Sequence, residues 1–203
     1  MNVRIAVLVS GGGSNLQAII DAVETGYIKN TEIVCVISNK ENAFGLNRAR
    51  NHKIEAIFLD SKNKSRQEFT TEIISELKNR KIDLVCLAGF MVILSDEIFT
   101  PENYKNKIIN IHPALLPEFG GEGMFGMNVH QAVYAAGKKV SGATVHFVNE
   151  ICDGGDIILQ EKIDIFDCKS PEEIAKKVLK IEHKIYPEAV KFLVERVVSD
   201  DFN

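Results

Sequence analysis

Tryptophan is absent from this chain of 203 residues, proline occurs five times, and the four cysteines, Cys35, Cys86, Cys152 and Cys168, include no C-x-x-C pair. Structural zinc motifs and thioredoxin-type redox sites depend on that pairing, so neither is expected. Cys35 and Cys86 sit within the apolar runs Ile33 to Ile37 and Leu84 to Leu87, which makes them buried free thiols rather than disulfide partners. Long hydrophobic segments are also missing. The longest stretch without a charged or strongly polar side chain, Leu84 to Leu94, falls well short of the ~18 residues that span a bilayer. The N-terminal run Ile5 to Val9 is shorter than a signal-peptide core and leads into glycines, so a cytoplasmic protein with no membrane partner is expected. Nor is there an excess of positive charge: 24 Lys and Arg against 28 Asp and Glu give a net charge of −4, and no nucleic-acid partner is expected.

What is present is the balance of an ordinary globular chain, 45% hydrophobic and 26% charged. At roughly 150 residues per domain the length predicts one domain over 1–203, able to bury a core without a disulfide or metal staple. Apolar runs alternate with helix-period segments through the first half, the pattern of βαβ units. The fold class expected is therefore α/β, a doubly wound, mostly parallel, Rossmann-like sheet. Candidate strands are Val3 to Val9, Glu32 to Ile37, Ala56 to Leu59, Asp83 to Ala88 and Lys107 to Ile111, apolar almost throughout and hence covered on both faces. Leu16, Ile19, Ile20 and Val23 mark one face of a first helix, with Ser14 and Gln17 spaced as a capping box and Gly26 as its stop. A second box, Ser65 to Glu68, opens a helix carrying Phe69, Ile73 and Leu77. After Asn128 a short helix, Val129 to Ala136, precedes two β-rich runs, Val140 to Val148 and Ile157 to Phe166, expected as added strands at one side of the sheet. A last helix opens at Ser170, with Pro171 in its first turn and Glu173 completing a third box. Between Pro117 and Met127 the sequence has no period and carries Gly120, Gly121, Gly123 and Gly126, so it is a loop.

Three places carry candidate chemistry. Ser10-Gly11-Gly12-Gly13-Ser14-Asn15 lies where the first strand turns into the first helix, and glycines at a helix N-terminus suit a phosphate; a tight turn that merely needs glycine is the alternative. Leu16 stands where a dinucleotide fingerprint needs a small residue and no Gly-Lys-Ser/Thr follows, so neither NAD nor ATP is favoured. Asn110 and His112 share one face at the end of the fifth strand, where they could position a carbonyl and exchange a proton with it, or simply satisfy backbone groups. Asp153, in Cys152-Asp153-Gly154-Gly155, is either a hairpin turn residue or a carboxylate that raises the pKa of a nearby imidazole. His146 could join His112 and Asp153 around a metal, but the spacings match no zinc pattern and no metal is expected. Acidic neighbours speak against Cys152 as a nucleophile. His52, His130 and His183 fall on helices as surface or packing residues.

The glycine-rich turn, Ala88-Gly89-Phe90-Met91, Asn110-Ile111-His112-Pro113-Ala114-Leu115-Leu116-Pro117, and Thr144 to Val148 followed by Asp153-Gly154-Gly155 resemble, in this order, the formyltransferase family that uses 10-formyltetrahydrofolate. The resemblance extends from about Val3 to Ala189. It implies 10-formyltetrahydrofolate as formyl donor and co-substrate, and Asn110, His112 and Asp153 as the catalytic trio. Gly13, Ser14 and Asn15 match a ribose-phosphate anchor and Glu182 an acidic contact to a glycinamide substrate. Arg66 and the backbone of Met91, Val92, Ile93 and Leu94 match the folate contacts, which Asn110 shares. The length and the V-S-G-G-G-S-N opening are similar to the members that formylate 5-phosphoribosylglycinamide in purine biosynthesis. Members acting on methionyl-tRNA carry a further C-terminal domain and deformylases an N-terminal regulatory one, for which this chain has no room. Two departures stand out: Val92 replaces an arginine common in the family, and the usual F-P-G after L-L-P is Phe119-Gly120-Gly121, followed by a longer glycine loop.

The expected mechanism is direct attack of an amine on the formyl carbon. Asn110 and protonated His112 donate to the resulting oxyanion, while His112 and Asp153 move a proton from the amine to the folate nitrogen. Small molecules are then the partners, and the sequence carries no signal of oligomeric state. A nicotinamide-dependent oxidoreductase is the competing enzyme class, opposed by Leu16 and by Ser38-Asn39 where an acidic residue is needed. A non-catalytic phosphate-binding module would need no Asn-His pair.

Overall fold

The computed structural model describes residues 2–199. In chain order these form β1 (Val3–Val9), α1 (Ser14–Glu24), β2 (Thr31–Ser38), α2 (Phe44–Asn51), β3 (Glu55–Phe58), α3 (Arg66–Asn79), β4 (Leu84–Leu87), a 3-10 turn (Asp96–Phe99), β5 (Ile108–His112), α4 (Met127–Ala135), β6 (Val140–Phe147), β7 (Ile157–Asp164) and α5 (Pro171–Val198). The strands build one sheet in the order β3-β2-β1-β4-β5-β6-β7. Pairings among the first five strands are parallel, while β5–β6 and β6–β7 are antiparallel. This is the doubly wound sheet with added C-terminal strands that the hydrophobic pattern predicts.

The uninterrupted apolar runs are explained by two covers. Along β1, Ile5, Val7 and Val9 pack with Leu16 and Ile19 of α1 and Val178 and Val190 of α5, whereas Ala6 and Leu8 pack with Phe69, Ile73 and Leu77 of α3. Successive side chains of a strand point to opposite faces, so a strand covered on both needs apolar residues at every position. The phenol of Tyr186, fully buried in α5, donates to the Leu87 carbonyl at 2.8 Å and so ties that helix to β4. Cys35 and Cys86 are buried free thiols, and burial pushes the Cys35 thiol up to about 12.

Helix starts follow the sequence in one case of three. At α3, Ser65 accepts from the Glu68 N–H and the Glu68 carboxylate accepts from the Ser65 N–H, a complete box. At α5 only half of it forms: Ser170 accepts from Glu173, but the Glu173 carboxylate takes the N–H of Lys169 instead. At α1 the box fails, because the helix begins at Ser14 itself and its N-cap is Gly13, at φ 68 and with no side-chain cap.

Candidate active site

β5 is the last strand paired in parallel, and the carboxyl end of such a strand is where open α/β sheets present ligand-binding side chains. Ile109 and Ile111 enter one core layer and Ile108 the other, so Asn110 and His112 project together on the face of Ile108. The antiparallel partner β6 sets His146 opposite Asn110 and Thr144 opposite His112. Asp153 follows in the turn between β6 and β7, in the left-handed region at φ 53. Gly155 lets that turn close, since a Cβ there would stand 1.8 Å from the Phe147 carbonyl oxygen. The hairpin turn and the carboxylate are one feature: the turn delivers Asp153 to both imidazoles. Its Oδ2 lies 3.4 Å from His112 Nδ1, and its Oδ1 lies 3.5 Å from His146 Nε2.

Proton positions follow from the hydrogen-bond partners. His146 Nδ1–H donates to the Phe147 carbonyl at 2.8 Å, which leaves Nε2 to accept from the Asn110 amide at 3.3 Å. One of the two Asn110 N–H groups is thereby fixed and the other remains for a ligand. His112 Nε2–H donates to the Phe119 carbonyl at 2.8 Å. Burial lowers the His112 pKa, and the nearby Asp153 charge and the Phe119 contact do not make up the difference. Asp153 does raise the His112 pKa, as its place in the sequence suggests, but desolvation of the cation outweighs one carboxylate at 3.4 Å. Asp153 is itself held below its usual range: burial opposes this, but His146 and His112, both protonated at the acidic pH where the carboxylate titrates, and the Gly121 N–H prevail.

The glycine loop folds over this cluster. Gly120 packs where a Cβ would sit 2.5 Å from Leu116 Cδ2 and 3.2 Å from Asp153 Cβ, and Gly121 N–H donates to Asp153 Oδ2 at 3.0 Å. The segment after His112 is clamped by Thr144, whose hydroxyl donates to the Ala114 carbonyl at 2.7 Å and accepts from Leu116 N–H at 3.1 Å. Gln160 on β7 donates to the same hydroxyl and to the Leu116 carbonyl. His130 is buried on α4, and its pKa is pushed down to about 4 by burial first and by nearby His112 second. The Cys152 thiol is raised by burial, Asp153 and Glu122, which is no setting for a thiolate.

At the end of β1, the uncapped start of α1 leaves the N–H groups of Ser14, Asn15 and Leu16 without a side-chain acceptor, and the positive end of the helix favours an anion there. The tight-turn alternative holds as well, since a Cβ on Gly13 would meet Gly45 Cα at 2.9 Å. The Asn15 side chain turns inward and donates to Glu182 Oε2 at 2.7 Å while its Oδ1 stays buried without a partner, so only its backbone N–H is at the helix end. Burial raises the Glu182 pKa, only partly offset by Asn15.

Arg66 opens α3, and its Nε donates to the Leu94 carbonyl at 2.8 Å, so it and the Met91 to Leu94 segment form one surface. On that segment Met91 and Ile93 are exposed, Val92 is half-buried and Leu94 is buried. Ser10 joins this surface to the glycine turn: its Oγ accepts from Met91 N–H at 2.8 Å and donates to Asn39 Oδ1 at 2.6 Å. Sequence reasoning missed the roles of Ser10, Gln160 and the His146–Asn110 contact, which depend on strand register and on segments distant in the chain. Among the described residues no group of three or more His, Cys, Asp and Glu is placed to hold a metal ion, and no helix is long and apolar enough to cross a membrane.

A doubly wound sheet that gathers an amide, two imidazoles and a carboxylate from β5, β6 and the following turn has the architecture of an α/β enzyme with a site at the carboxyl edge of its sheet. Residues 3–190 match the family model for formyl transferase. A relative from Haemophilus influenzae named phosphoribosylglycinamide formyltransferase is 44% identical over 95% of this chain and 87% of its own length. One of the same name from Escherichia coli is 41% identical at the same coverage. The crystal structure of glycinamide ribonucleotide transformylase 1 from Symbiobacterium toebii has a TM-score of 0.88 to this chain at 38% identity, covering 96% of it and 88% of that protein. This chain belongs to the formyl transferase family and is a transferase.

Proposed function

We propose that this chain transfers the formyl group of 10-formyltetrahydrofolate to the amine of 5-phosphoribosylglycinamide, a step of purine biosynthesis, as a cytoplasmic enzyme with small-molecule partners. The names of its relatives support the formyl group and the acceptor. The observation that carries the reading is that Asn110, His112 and Asp153 converge at the carboxyl end of β5, on the same sheet edge where β1 runs into a bare helix N-terminus and β4 into the Arg66–Leu94 surface. In this reading the helix end holds the acceptor phosphate, Glu182 and the orphaned Asn15 oxygen accept from the glycinamide amine, and the Arg66 to Leu94 surface receives the folate.

The amine lone pair attacks the formyl carbon, and the C=O π electrons move to oxygen. The free N–H of Asn110 donates to that oxyanion, a contact typically worth about 3 kcal/mol when it is made only in the transition state. His112 rests neutral and takes the proton released by the amine, and Asp153 stabilises the imidazolium as it forms. The bond to the folate nitrogen then breaks, its electron pair stays on that nitrogen, and His112 returns the proton there. For His112 Nε2 to act as the base, the Phe119 carbonyl must swing away and the imidazole proton must pass to Nδ1, where Asp153 Oδ2 accepts its hydrogen bond, so in this mechanism the glycine loop moves during turnover. This chemistry requires neither a metal nor a covalent enzyme intermediate. The test is spectrophotometric formyl transfer from a 10-formyl folate to the acceptor with the purified protein, alongside a reaction without acceptor. Turnover only with acceptor is expected; equal release of formate in both would indicate a hydrolase instead.

A further inference from the structure

The glycine turn does not hold its own shape; α2 holds it. The Gly11 carbonyl accepts from Gly45 N–H at 3.0 Å and the Gly12 carbonyl accepts from Arg48 Nε at 2.8 Å. Gly45 approaches this closely because it has no side chain: a Cβ would lie 2.8 Å from Val9 Cγ2. Arg48 is half-buried, its Nη1 donates to Gln17 Oε1 on α1 at 3.0 Å, and its guanidinium carbon lies 5.0 Å from the centre of the Phe44 ring. Arg48 and Ser14 also line one groove of about 800 Å³ between α1 and α5.

In a trans peptide the C=O and the following N–H point in opposite directions. With the Gly11 and Gly12 carbonyls drawn towards α2, the N–H groups of Gly12 and Gly13 point away from it. We propose that Arg48 is a positioning residue for the anion subsite: it locks the Gly12–Gly13 peptide plane so that its N–H joins the donors of the helix end. The proposal rests on the reading of this turn as the phosphate anchor. A guanidinium suits the task because Nε and Nη1 lie in one rigid fork and serve two acceptors on different segments at once, which the flexible, single-point ammonium of lysine does not reproduce.

Arg48→Lys keeps the charge and Arg48→Met keeps the apolar stem, so the pair separates geometry from charge. Four quantities are measured for each: the dissociation constant of inorganic phosphate, KM and kcat with the phosphorylated acceptor and with its unphosphorylated riboside, binding of a folate analogue, and Tm. Both variants should weaken phosphate binding, and raise KM for the phosphorylated acceptor, by about tenfold or more, the scale of one lost hydrogen bond to a charged group. Folate binding and kcat/KM for the riboside should stay at the wild-type level. Unchanged phosphate affinity in both variants overturns the proposal. So does a normal Arg48→Lys beside a weakened Arg48→Met, which would make charge alone responsible. Parallel loss of folate binding would reduce Arg48 to a structural residue. Should the wild type ignore inorganic phosphate and use both acceptors equally well, the anchor itself fails; a wild type that discriminates, beside variants that match it, fails only the role of Arg48.

Discussion

Asp153 Oδ2 stands 3.4 Å from His112 Nδ1, yet burial leaves the imidazole with a lowered pKa. The carboxylate is thus not a device for keeping His112 charged at rest. In the proposed mechanism it stabilises a charge that appears only when His112 takes a proton, and an interaction present only then would accelerate the chemistry.

Asp153→Asn tests this through pH. A neutral base must be deprotonated to work, so activity is lost as pH falls through the His112 pKa. Removing the carboxylate removes a contribution that raises that pKa, and the acidic limb of the kcat/KM profile should move to still lower pH, with kcat reduced at neutral pH. An acidic limb that stays in place would separate Asp153 from the titration of His112.

His112→Ala should lower kcat by about 100-fold or more with little change in folate binding, the scale of general acid–base catalysis by a positioned side chain. Near-normal turnover in a folded variant removes His112 from the mechanism.

His146→Phe removes the acceptor that orients the Asn110 amide at 3.3 Å. A loss of kcat smaller than that of Asn110→Ala is expected, because the donor survives but is free to rotate. A combined variant should be little worse than Asn110→Ala alone, since two residues that act as one unit are not additive. Losses that multiply across the pair would show that His146 acts independently.

Glu182→Gln should raise Tm at pH 8 while weakening acceptor binding. Burial raises the pKa of Glu182, so the charged carboxylate destabilises the folded state as pH rises through that value; below the ordinary carboxylate range the two proteins should melt alike. Each kcal/mol relieved corresponds to about 2–4 °C in a chain of this size. A variant less stable than wild type at pH 8 would contradict the burial argument.

Gly12 and Gly13 should respond differently to valine. Gly13 sits at φ 68 with Gly45 Cα 2.9 Å from the place of its missing Cβ, so Gly13→Val should lower stability by more than ~1 kcal/mol along with phosphate affinity. At Gly12 no heavy atom lies within 4 Å of that place, and Gly12→Val should weaken phosphate with Tm unchanged. Calorimetry beside phosphate titration reads both; an unchanged Tm for Gly13→Val would count against the turn geometry.

The sequence by itself determined the strands, the two-sided cover of β1, the sharing of one face by Asn110 and His112, and the box at Ser65. Each of these is a matter of local spacing: period two in a strand, 3.6 in a helix, and residues three apart at a helix start. Tertiary structure decided the rest. Ser14 and Gln17 have box spacing, but the helix begins one residue earlier than the box requires, with Gly13 as its cap packed against Gly45, and its end stays open. His146 meets Asn110 because β6 pairs with β5 in one particular antiparallel register, and Arg48 reaches Gly12 because α2 lies against the glycine turn. The lowered pKa of His112 is likewise non-local. It balances the burial of a whole neighbourhood against one carboxylate, and neither can be counted until the chain has folded.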